Sequence, residues 1–312
     1  MEMVIIESML NTYRYKNITW IDSLNLTTEE AKILMERYEL SPKVIRDLIL
    51  PTYKDTITLC GNYIYLVLHF PAIRHSHNND EQQEIDFILG KNYIITNKYE
   101  MIDELEKFSK EFEVNSILKS KTMRDHAGYV FYYIMKNLYS SVFDELESLQ
   151  DQIKEIEQNI FIGKEKEMVS SISQIAKELM NFEHTIKPHK EILEKFKNLF
   201  IKLFDKEFIE NVQKLIDEYG KIEKTLEDTA DSMRELRETN DSLLSSKQNE
   251  IMKILTIFTF FALPFSIITG FFQMNTKVMP IVNSNYAWPL IVGIEITITI
   301  LLFCFAKKKG WF

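Results

Sequence analysis

Cysteine is scarce in this sequence: Cys60 and Cys304 are the only two in 312 residues. Two cysteines are too few for a disulfide framework, and Cys304 lies within an apolar run, so residues 1–250 are expected in a reducing, cytosolic compartment. The first ten residues contain Glu2 and Glu7 and lack both a basic leader and a small-residue cleavage site. We therefore do not expect them to be a signal peptide.

The sequence also lacks the motifs of an enzyme. It contains no phosphate-binding loop, no nucleophile motif and no cysteine/histidine array. We therefore predict a protein that is not an enzyme and has no tightly bound cofactor. The formal net charge of -9 argues against a nucleic-acid partner and suits an interaction with cations.

Two long apolar runs lie near the end of the chain. No residue is charged from Ile254 to Thr276, and only Glu295 is charged from Val278 to Ala306. Each run can cross a bilayer as a helix, which needs about 20 apolar residues. The connection between them offers only Lys277, whereas three lysines (307–309) follow the second run. Because lysines mark the cytoplasmic side, both termini are predicted to be cytoplasmic and the connection extracytoplasmic.

Residues 1–124 are predicted to form an α/β domain around a sheet. Residues 62–70 form an almost unbroken apolar run, which predicts a strand covered on both faces. Residues 84–97 predict a hairpin broken by Gly90-Lys91-Asn92. Residues 27–38 begin with a threonine and an acidic first turn, which is typical of a helix start.

Residues 125–206 are predicted to form an antiparallel helical hairpin. Apolar residues recur at spacings of three and four on both sides of Gly163. A third series, with no proline or glycine from Lys221 to Leu263, predicts one helix of about 60 Å that enters the membrane. The remaining predicted segments are a stalk and first span at 207–272 (span about 251–272), an extracytoplasmic loop at 273–287, a second span at 288–306 and a basic tail at 307–312.

One face of the long helix changes in character along its length. Its residues recur every three or four positions and go from acidic, through small polar, to apolar with two hydroxyl groups. They are Glu238, Asp241, Ser245, Asn249, Met252, Leu255, Thr259, Leu263, Ser266 and Gly270. Several copies around a symmetry axis would line a narrow hydrated path with this face. The spacing alone is equally consistent with a seam between helices, in which Ser and Thr bond across the interface.

The order of the segments and several motifs resemble the CorA family of divalent-cation channels and transporters. The resemblance covers essentially the whole chain, including Trp20-Ile21-Asp22, LVLHFP at 66–71 and EIDFILGKNYIIT at 84–96. In the membrane part, Met252-Lys253, Leu255-Thr256, Pro264, Gly270 and Met274-Asn275 keep the family's order and spacing. The resemblance implies a homopentamer in the cell's inner membrane, with a central pore lined by the first span.

The family's Gly-Met-Asn signature is Gln273-Met274-Asn275 in this chain. The resemblance implies that Asn275 forms a polar ring at the outer mouth and contacts the cation through its water shell. Mg²⁺ gives up its water reluctantly and prefers oxygen ligands, which fits such a ring. Gln273 replaces the glycine, and a glutamine takes a positive φ only at a cost. Lys277 stands in a loop where the family commonly has acidic residues, and five lysines would repel a divalent cation.

Two further roles are predicted within the spans. Met252 and Leu255 are two bulky apolar residues on a face that is otherwise graded from acidic groups to hydroxyl groups, so we expect them to form the narrowest part of the pore and to gate it. Glu295 is costly inside a membrane and must be protonated, paired or hydrated. Two interpretations remain open: a protonated or threonine-paired glutamate, and a group that couples transport to protons.

Other polar clusters carry weaker signals. His69, His75 and His77 could hold zinc, but His69 belongs to a family-like strand and the other two to a polar loop, which favours a structural interpretation. His184 and His189 are expected on one helix, at the surface or between helices. The acidic run of the long helix predicts a solvated surface. It comprises Glu223, Glu227, Asp228, Asp231 and Glu235. In the family, carboxylates between neighbouring subunits bind regulatory Mg²⁺, but Lys214 stands at one expected position, with Asp217 a turn later.

The sequence therefore predicts a membrane channel or transporter for divalent cations, above all Mg²⁺, with Co²⁺ and Ni²⁺ as further substrates. Mg²⁺ is also expected as a regulator. The partners are the membrane, other copies of the chain and divalent ions. The alternatives are a proton-coupled zinc or broad divalent carrier of the ZntB type, and a CorA-like protein that conducts nothing.

Overall fold

The computed structural model describes residues 10–71, 82–113, 126–204, 208–274 and 286–310. Within these ranges the chain forms six strands and eight α-helices. The strands are β1 (Asn11–Tyr15), β2 (Ile18–Leu24), β3 (Thr56–Cys60), β4 (Tyr63–Phe70), β5 (Gln83–Gly90) and β6 (Tyr93–Lys98). The helices are α1 (Thr28–Tyr38), α2 (Pro42–Ile49), α3 (Asp103–Glu113), α4 (Gly128–Phe161), α5 (Glu165–Ile186), α6 (His189–Leu203), α7 (Ile209–Gln273) and α8 (Ala287–Lys308).

The strands form one sheet in the order β1-β2-β6-β5-β4-β3. All neighbours are antiparallel except β2 and β6, which are parallel. The predicted strand at 62–70 is β4, and every one of its residues is buried, as expected for a strand covered on both faces. The predicted hairpin is β5–β6, in which Leu89 pairs with Ile94 around a turn at residues 91–92. Both predictions are confirmed.

Helices cover the two faces of the sheet. On one face, Leu34 of α1 and Leu48 of α2 share a core with Tyr65 of β4 and Ile88 of β5. On the other, Phe131 of α4 packs edge-on against Phe87 of β5, with ring centroids 5.3 Å apart. The predicted start of α1 is also confirmed. Thr27 caps the helix by accepting from the Glu30 N–H, and Glu30 accepts from the Thr27 N–H in return.

The predicted helical hairpin is α4–α5, joined at Ile162–Lys164. Gly163 has a φ of 96°, which explains the break at this residue, because glycine adopts that conformation freely. A separate helix, α6, was not predicted. Pro188 precedes it, and α5 ends at Ile186. The expectation that His184 and His189 lie on one helix was therefore wrong: His184 is exposed on α5, and His189 is buried at the start of α6.

The long helix predicted from the absence of proline and glycine is α7, which has 65 residues and continues through Pro264. Both α7 and α8 contain a stretch long and apolar enough to cross a membrane. Contacts divide the chain into the units Met1–Arg237 and Glu238–Phe312. The sheet and the helical hairpin, which were predicted as separate segments, therefore belong to one unit. The predicted fold class, an α/β domain followed by long helices and two apolar C-terminal helices, is confirmed.

Candidate ion-conduction face

All ten residues predicted to line a pore lie on α7, and we call them the conduction face. Each of the ten is exposed in the single chain, from Glu238 to Gly270. They include three large apolar side chains, Met252 (53% exposed), Leu255 (54%) and Leu263 (53%). An exposed stripe of this length is available to line a shared cavity between copies.

The opposite side of α7 is partly covered within the chain. The half-buried residues there recur at Ile257, Phe261, Pro264, Ile268 and Phe272. The first four each precede a member of the conduction face by two residues. Because an α-helix turns about 100° per residue, each points about 200° away from that member. We attribute the cover to α8, which is the other helix of the unit Glu238–Phe312. The conduction face therefore lies opposite the half-buried residues of α7.

The two hydroxyl groups in the apolar part of the conduction face, those of Thr259 and Ser266, donate to the helix's own backbone. Thr259 Oγ1 lies 2.9 Å from the Leu255 carbonyl oxygen, and Ser266 Oγ lies 3.3 Å from that of Ala262. Since each hydroxyl hydrogen is used in this way, the lone pairs of the oxygen remain available to the cavity side. Water molecules around a cation point their hydrogens outward, so acceptor oxygens of this kind suit a hydrated cation.

One of the two predicted gate residues, Leu255, borders a groove on the surface of α7. The groove has a volume of about 480 Å³ and is lined by Leu255, Thr256, Thr259, Phe260, Leu263 and Pro264. Three of its residues, Leu255, Thr259 and Leu263, belong to the conduction face. The groove lies within one helix, so in an assembly its open side is available to a neighbouring copy.

The mouth begins where α7 ends. Gln273 is the last residue of the helix, and the Met274 N–H donates to the Phe271 carbonyl at 3.3 Å. Asn275 and Lys277 lie outside the described residues. The non-glycine residues with positive φ in the described part of the chain are Lys16, Asn25 and Glu39, so Gln273 is not strained in this way. The expectation that Gln273 stiffens the turn because it replaces a glycine is therefore wrong: a helical residue needs no glycine.

His69 is fully engaged by protein groups. Its Nδ1 lies 2.6 Å from Asp55 Oδ1, and its Nε2 lies 2.9 Å from the Thr52 carbonyl oxygen and 3.3 Å from Glu84 Oε2. Burial alone would lower the pKa of His69, but these hydrogen bonds outweigh it and raise the pKa to about 10. A protonated imidazole holds no metal, so the structural interpretation of His69 is supported. His75 and His77 lie outside the described residues.

The described residues hold no group of three or more His, Cys, Asp or Glu side chains arranged to bind a metal ion. The acidic run of α7 instead forms ion pairs at the surface. Glu223 accepts from Lys190 at 3.0 Å, and Asp231 pairs with Arg234 at 2.8 Å. Asp217 accepts from the Gln213 side chain at 3.0 Å. This matches the solvated surface predicted for the run.

Glu295 lies on α8 and is half-buried. Thr269 Oγ1 of α7 lies 3.3 Å from its Oε1 atom. One of the two interpretations of Glu295 included a threonine partner, and the structure supplies one. The sequence did not identify Thr269 as that partner, because the two residues are 26 positions apart and only the packing of the two helices brings them together.

Comparisons with known proteins bear on the whole chain. The sequence model of the family described as "CorA-like Mg2+ transporter protein" matches residues 15–308. The cobalt/magnesium transport protein CorA of Thermotoga maritima is 25% identical over 308 residues, which cover 98% of this chain and 87% of the relative. The complete structure of the CorA magnesium transporter from Methanocaldococcus jannaschii matches with a TM-score of 0.80 at 20% identity, covering 97% of this chain and 94% of that chain.

A second structural likeness covers about three quarters of the chain. The cytoplasmic domain of ZntB from Vibrio parahaemolyticus matches with a TM-score of 0.62 at 9% identity, covering 74% of this chain and 90% of that domain. At such identities, the structural likenesses show the fold. The family match is of a different kind, because it spans nearly the whole sequence and includes both apolar helices. The chain belongs to the CorA family of Mg²⁺ transporter proteins.

Proposed function

We propose that this protein is a homopentameric channel for divalent cations in the inner membrane, with Mg²⁺ as its principal ion. The observation that carries the proposal is the conduction face. It is continuous along α7, exposed in the single chain, and directed away from the covered side of the helix. Five copies around an axis give this face a common cavity, and the CorA structure from Methanocaldococcus jannaschii supplies the precedent for the fold.

The chemistry of the face favours a hydrated cation. Acidic groups at Glu238 and Asp241 attract positive charge at the N-terminal end of the conduction face. Farther along, the face offers the acceptor oxygens of Thr259 and Ser266, which are neutral and do not trap an ion. Mg²⁺ keeps several of its waters when it is bound, so a path lined by acceptors suits it. The Thermotoga relative is named for cobalt and magnesium, which supports Co²⁺ as a second substrate.

The orientation follows from the charges of the ends. The three lysines at 307–309 stand at the end of α8 and shortly after it, and lysines stay on the cytoplasmic side. With two spans, the large unit Met1–Arg237 and the tail then lie on the cytoplasmic side, and the loop at 273–287 lies outside. Asn275 is placed at the outer mouth in this orientation, where its side-chain oxygen meets the hydrated ion. Mg²⁺ also serves as a regulator in this proposal, at positions that the described residues do not identify.

A proton-coupled carrier is the second candidate, and Glu295 is the observation that favours it. A carboxyl group inside a span is costly and commonly has a function in ion or proton transfer. The ZntB likeness adds only the fold, because it is restricted to the cytoplasmic domain. A CorA-like protein that conducts nothing is the third outcome of the test.

The test is flux into liposomes that contain the purified full-length protein. Mg²⁺, Co²⁺ and Zn²⁺ entry is measured with and without a pH gradient, for the wild type, Asn275→Ala and Asn283→Ala. The control Asn283 is an asparagine of the same loop, eight residues from the signature. The channel proposal expects Mg²⁺ entry that is independent of the pH gradient, strongly reduced in Asn275→Ala and retained in Asn283→Ala. Zinc entry driven by the pH gradient would identify a proton-coupled carrier. If no ion enters, the protein is a CorA-like protein that conducts nothing.

A further inference from the structure

Glu295 is the only Asp, Glu, Lys, Arg or His between Val278 and Ala306. Its carboxyl group contacts α7 at one defined point, the hydroxyl group of Thr269, with 3.3 Å between Oε1 and Oγ1. This hydrogen bond joins the two apolar helices of the unit Glu238–Phe312. A carboxyl group in a membrane span is costly, and a polar partner on a neighbouring helix offsets part of that cost.

Thr269 has a second acceptor within reach. Its Oγ1 atom also lies 2.7 Å from the Phe265 carbonyl oxygen of its own helix. One hydroxyl hydrogen serves one of these acceptors at a time or is shared between them. An ionised Glu295 accepts from the hydroxyl, whereas a protonated Glu295 donates to the lone pairs of Oγ1. The contact between the helices is therefore available in both protonation states.

The place of Thr269 on α7 links this contact to the mouth. Thr269 lies four residues before Gln273, which is about one helical turn, so the two lie on the same side of the helix. It immediately precedes Gly270, the last member of the conduction face. A bond that holds Thr269 thus fixes the rotation of the last turn of α7, and with it the orientation of Gln273, the last residue of the helix.

We propose that Glu295 is a positioning residue for ion selection, which acts through Thr269 on the last turn of the pore helix. The inference rests on the proposed function, because it assumes that α7 lines the pore. In this proposal the Glu295–Thr269 bond holds Gln273, the first signature residue of each subunit, at one distance from the pore axis. Loss of the bond lets the last turn rotate, and the ring at the mouth then discriminates less well between hydrated cations.

The test is a double-mutant cycle with the ratio of Mg²⁺ to Co²⁺ flux in liposomes as its readout. Glu295→Leu and Thr269→Val each remove the bond, and the pair is also combined. Glu295→Gln and Thr269→Ser keep a group that can make it. Thr297→Val is the matched control, because Thr297 is exposed on α8 and its Oγ1 donates to the Gly293 carbonyl at 2.8 Å, within the same helix. Native mass spectrometry reports whether each variant assembles.

The expected result is a shift of the flux ratio by on the order of threefold in Glu295→Leu and in Thr269→Val, the size of one hydrogen bond between membrane helices. The double variant should shift no further, because both changes remove the same bond. Glu295→Gln, Thr269→Ser and Thr297→Val should keep the wild-type ratio. These results are specific to positioning, since a general loss of stability would change the amount of assembled protein and leave the ratio unchanged.

Several results would overturn the inference. An unchanged ratio in assembled Thr269→Val does so even if Glu295→Leu fails to assemble, because valine keeps the shape of threonine. The inference is also overturned if the shift of the flux ratio in the double variant equals the sum of the shifts in the two single variants. If Glu295→Gln instead abolishes a dependence of flux on the pH gradient, Glu295 is a proton-transfer group. If the wild type conducts no divalent ion, the proposed function itself fails, and this inference fails with it before any variant is compared.

Discussion

In the unit Met1–Arg237, the large side chains are buried against one another: Trp20, Phe87, Phe131 and Phe196 are all fully buried. In the unit Glu238–Phe312, the only buried residues among those described are Asn240 and Ala306. The first unit thus completes its core within one copy of the chain. The apolar surface of the second is left for other molecules to cover.

The two units also differ in how many partners their buried or half-buried polar side chains have. His69, in the first unit, is held by two carboxylates and a backbone carbonyl from two separate segments of the chain. Glu295, in the second, has a single threonine hydroxyl from one other helix. The first arrangement is specified by many contacts, so removal of one group leaves a rigid frame. The second depends on one contact, so its geometry responds more readily to substitution.

The largest expected effect contrasts two phenylalanines. Phe131→Ala should destabilise the first unit by about 3–5 kcal/mol, the usual cost of truncating a buried aromatic side chain. Phe131 is fully buried, with its ring centroid 4.7 Å from that of Phe196. Phe258→Ala, at a position that is 69% exposed in the single chain, is the matched control and should leave unfolding of this unit unchanged. The midpoint of guanidinium unfolding in detergent measures both. If both variants lowered the unfolding midpoint equally, the second unit would be packed as tightly as the first.

The next effect is the pH dependence of the stability of the first unit, which tests the contribution of the hydrogen bonds of His69. The pKa of His69 in the folded chain is about 10, above the value near 6.5 of an unfolded histidine. A raised pKa means that the stabilisation by His69 is complete below about pH 6.5 and is lost as the pH rises through about 10. Stability should therefore fall between pH 7 and pH 9, and less so in His69→Gln.

His184→Gln is the control for this measurement, because His184 is exposed on α5. Its unfolding midpoints at pH 7, 8 and 9 should follow those of the wild type. If His69→Gln retains the full pH dependence, other groups of the first unit produce it.

Much of this fold could be predicted from local patterns. An unbroken apolar run fixed the position of β4, Gly163 marked the break between α4 and α5, and the absence of proline and glycine predicted most of α7. A helical period also placed the ten residues of the conduction face on one side of α7, and their role in conduction stays a prediction. Such predictions succeed where neighbours along the chain decide the structure.

The rest depended on contacts between distant segments. Asp55 and Glu84 reach His69 from 14 and 15 residues away in sequence, and Glu295 reaches Thr269 across 26. Helix α6 was missed because Pro188 was not interpreted as the start of a new helix. The strain expected at Gln273 was wrong because the sequence did not show that α7 continues to that residue. Each failure is a feature of packing or of backbone conformation that periodicity does not report.

A smaller effect is expected at the gate in the second unit. Met252→Ser and Leu255→Ser replace apolar side chains of the conduction face by polar ones, which lets water enter the narrow part of the pore. A barrier lower by about 1.4 kcal/mol would raise the leak of divalent ions about tenfold. Ile254→Ser is the control, because it lies two residues from Met252 and therefore on the opposite side of α7. Flux into liposomes measures the leak, and an unchanged leak in both variants would place the gate elsewhere.

The smallest effect is expected at the mouth, where charge is predicted to outweigh backbone conformation. Since Gln273 ends α7 without a positive φ, Gln273→Gly alone should change Mg²⁺ flux little. Lys277→Glu replaces a ring of positive charges by negative ones and should raise Mg²⁺ flux a few-fold at low ionic strength, with the gain shrinking as salt screens the charges. The double variant should behave like Lys277→Glu and be inhibited more strongly by cobalt hexammine, a mimic of the hydrated ion. If the double variant instead conducts less Mg²⁺ than the wild type, Gln273 is a ligand suited to another ion. Ion selection at the mouth would then depend on the side chain of Gln273 more than on the charge at position 277.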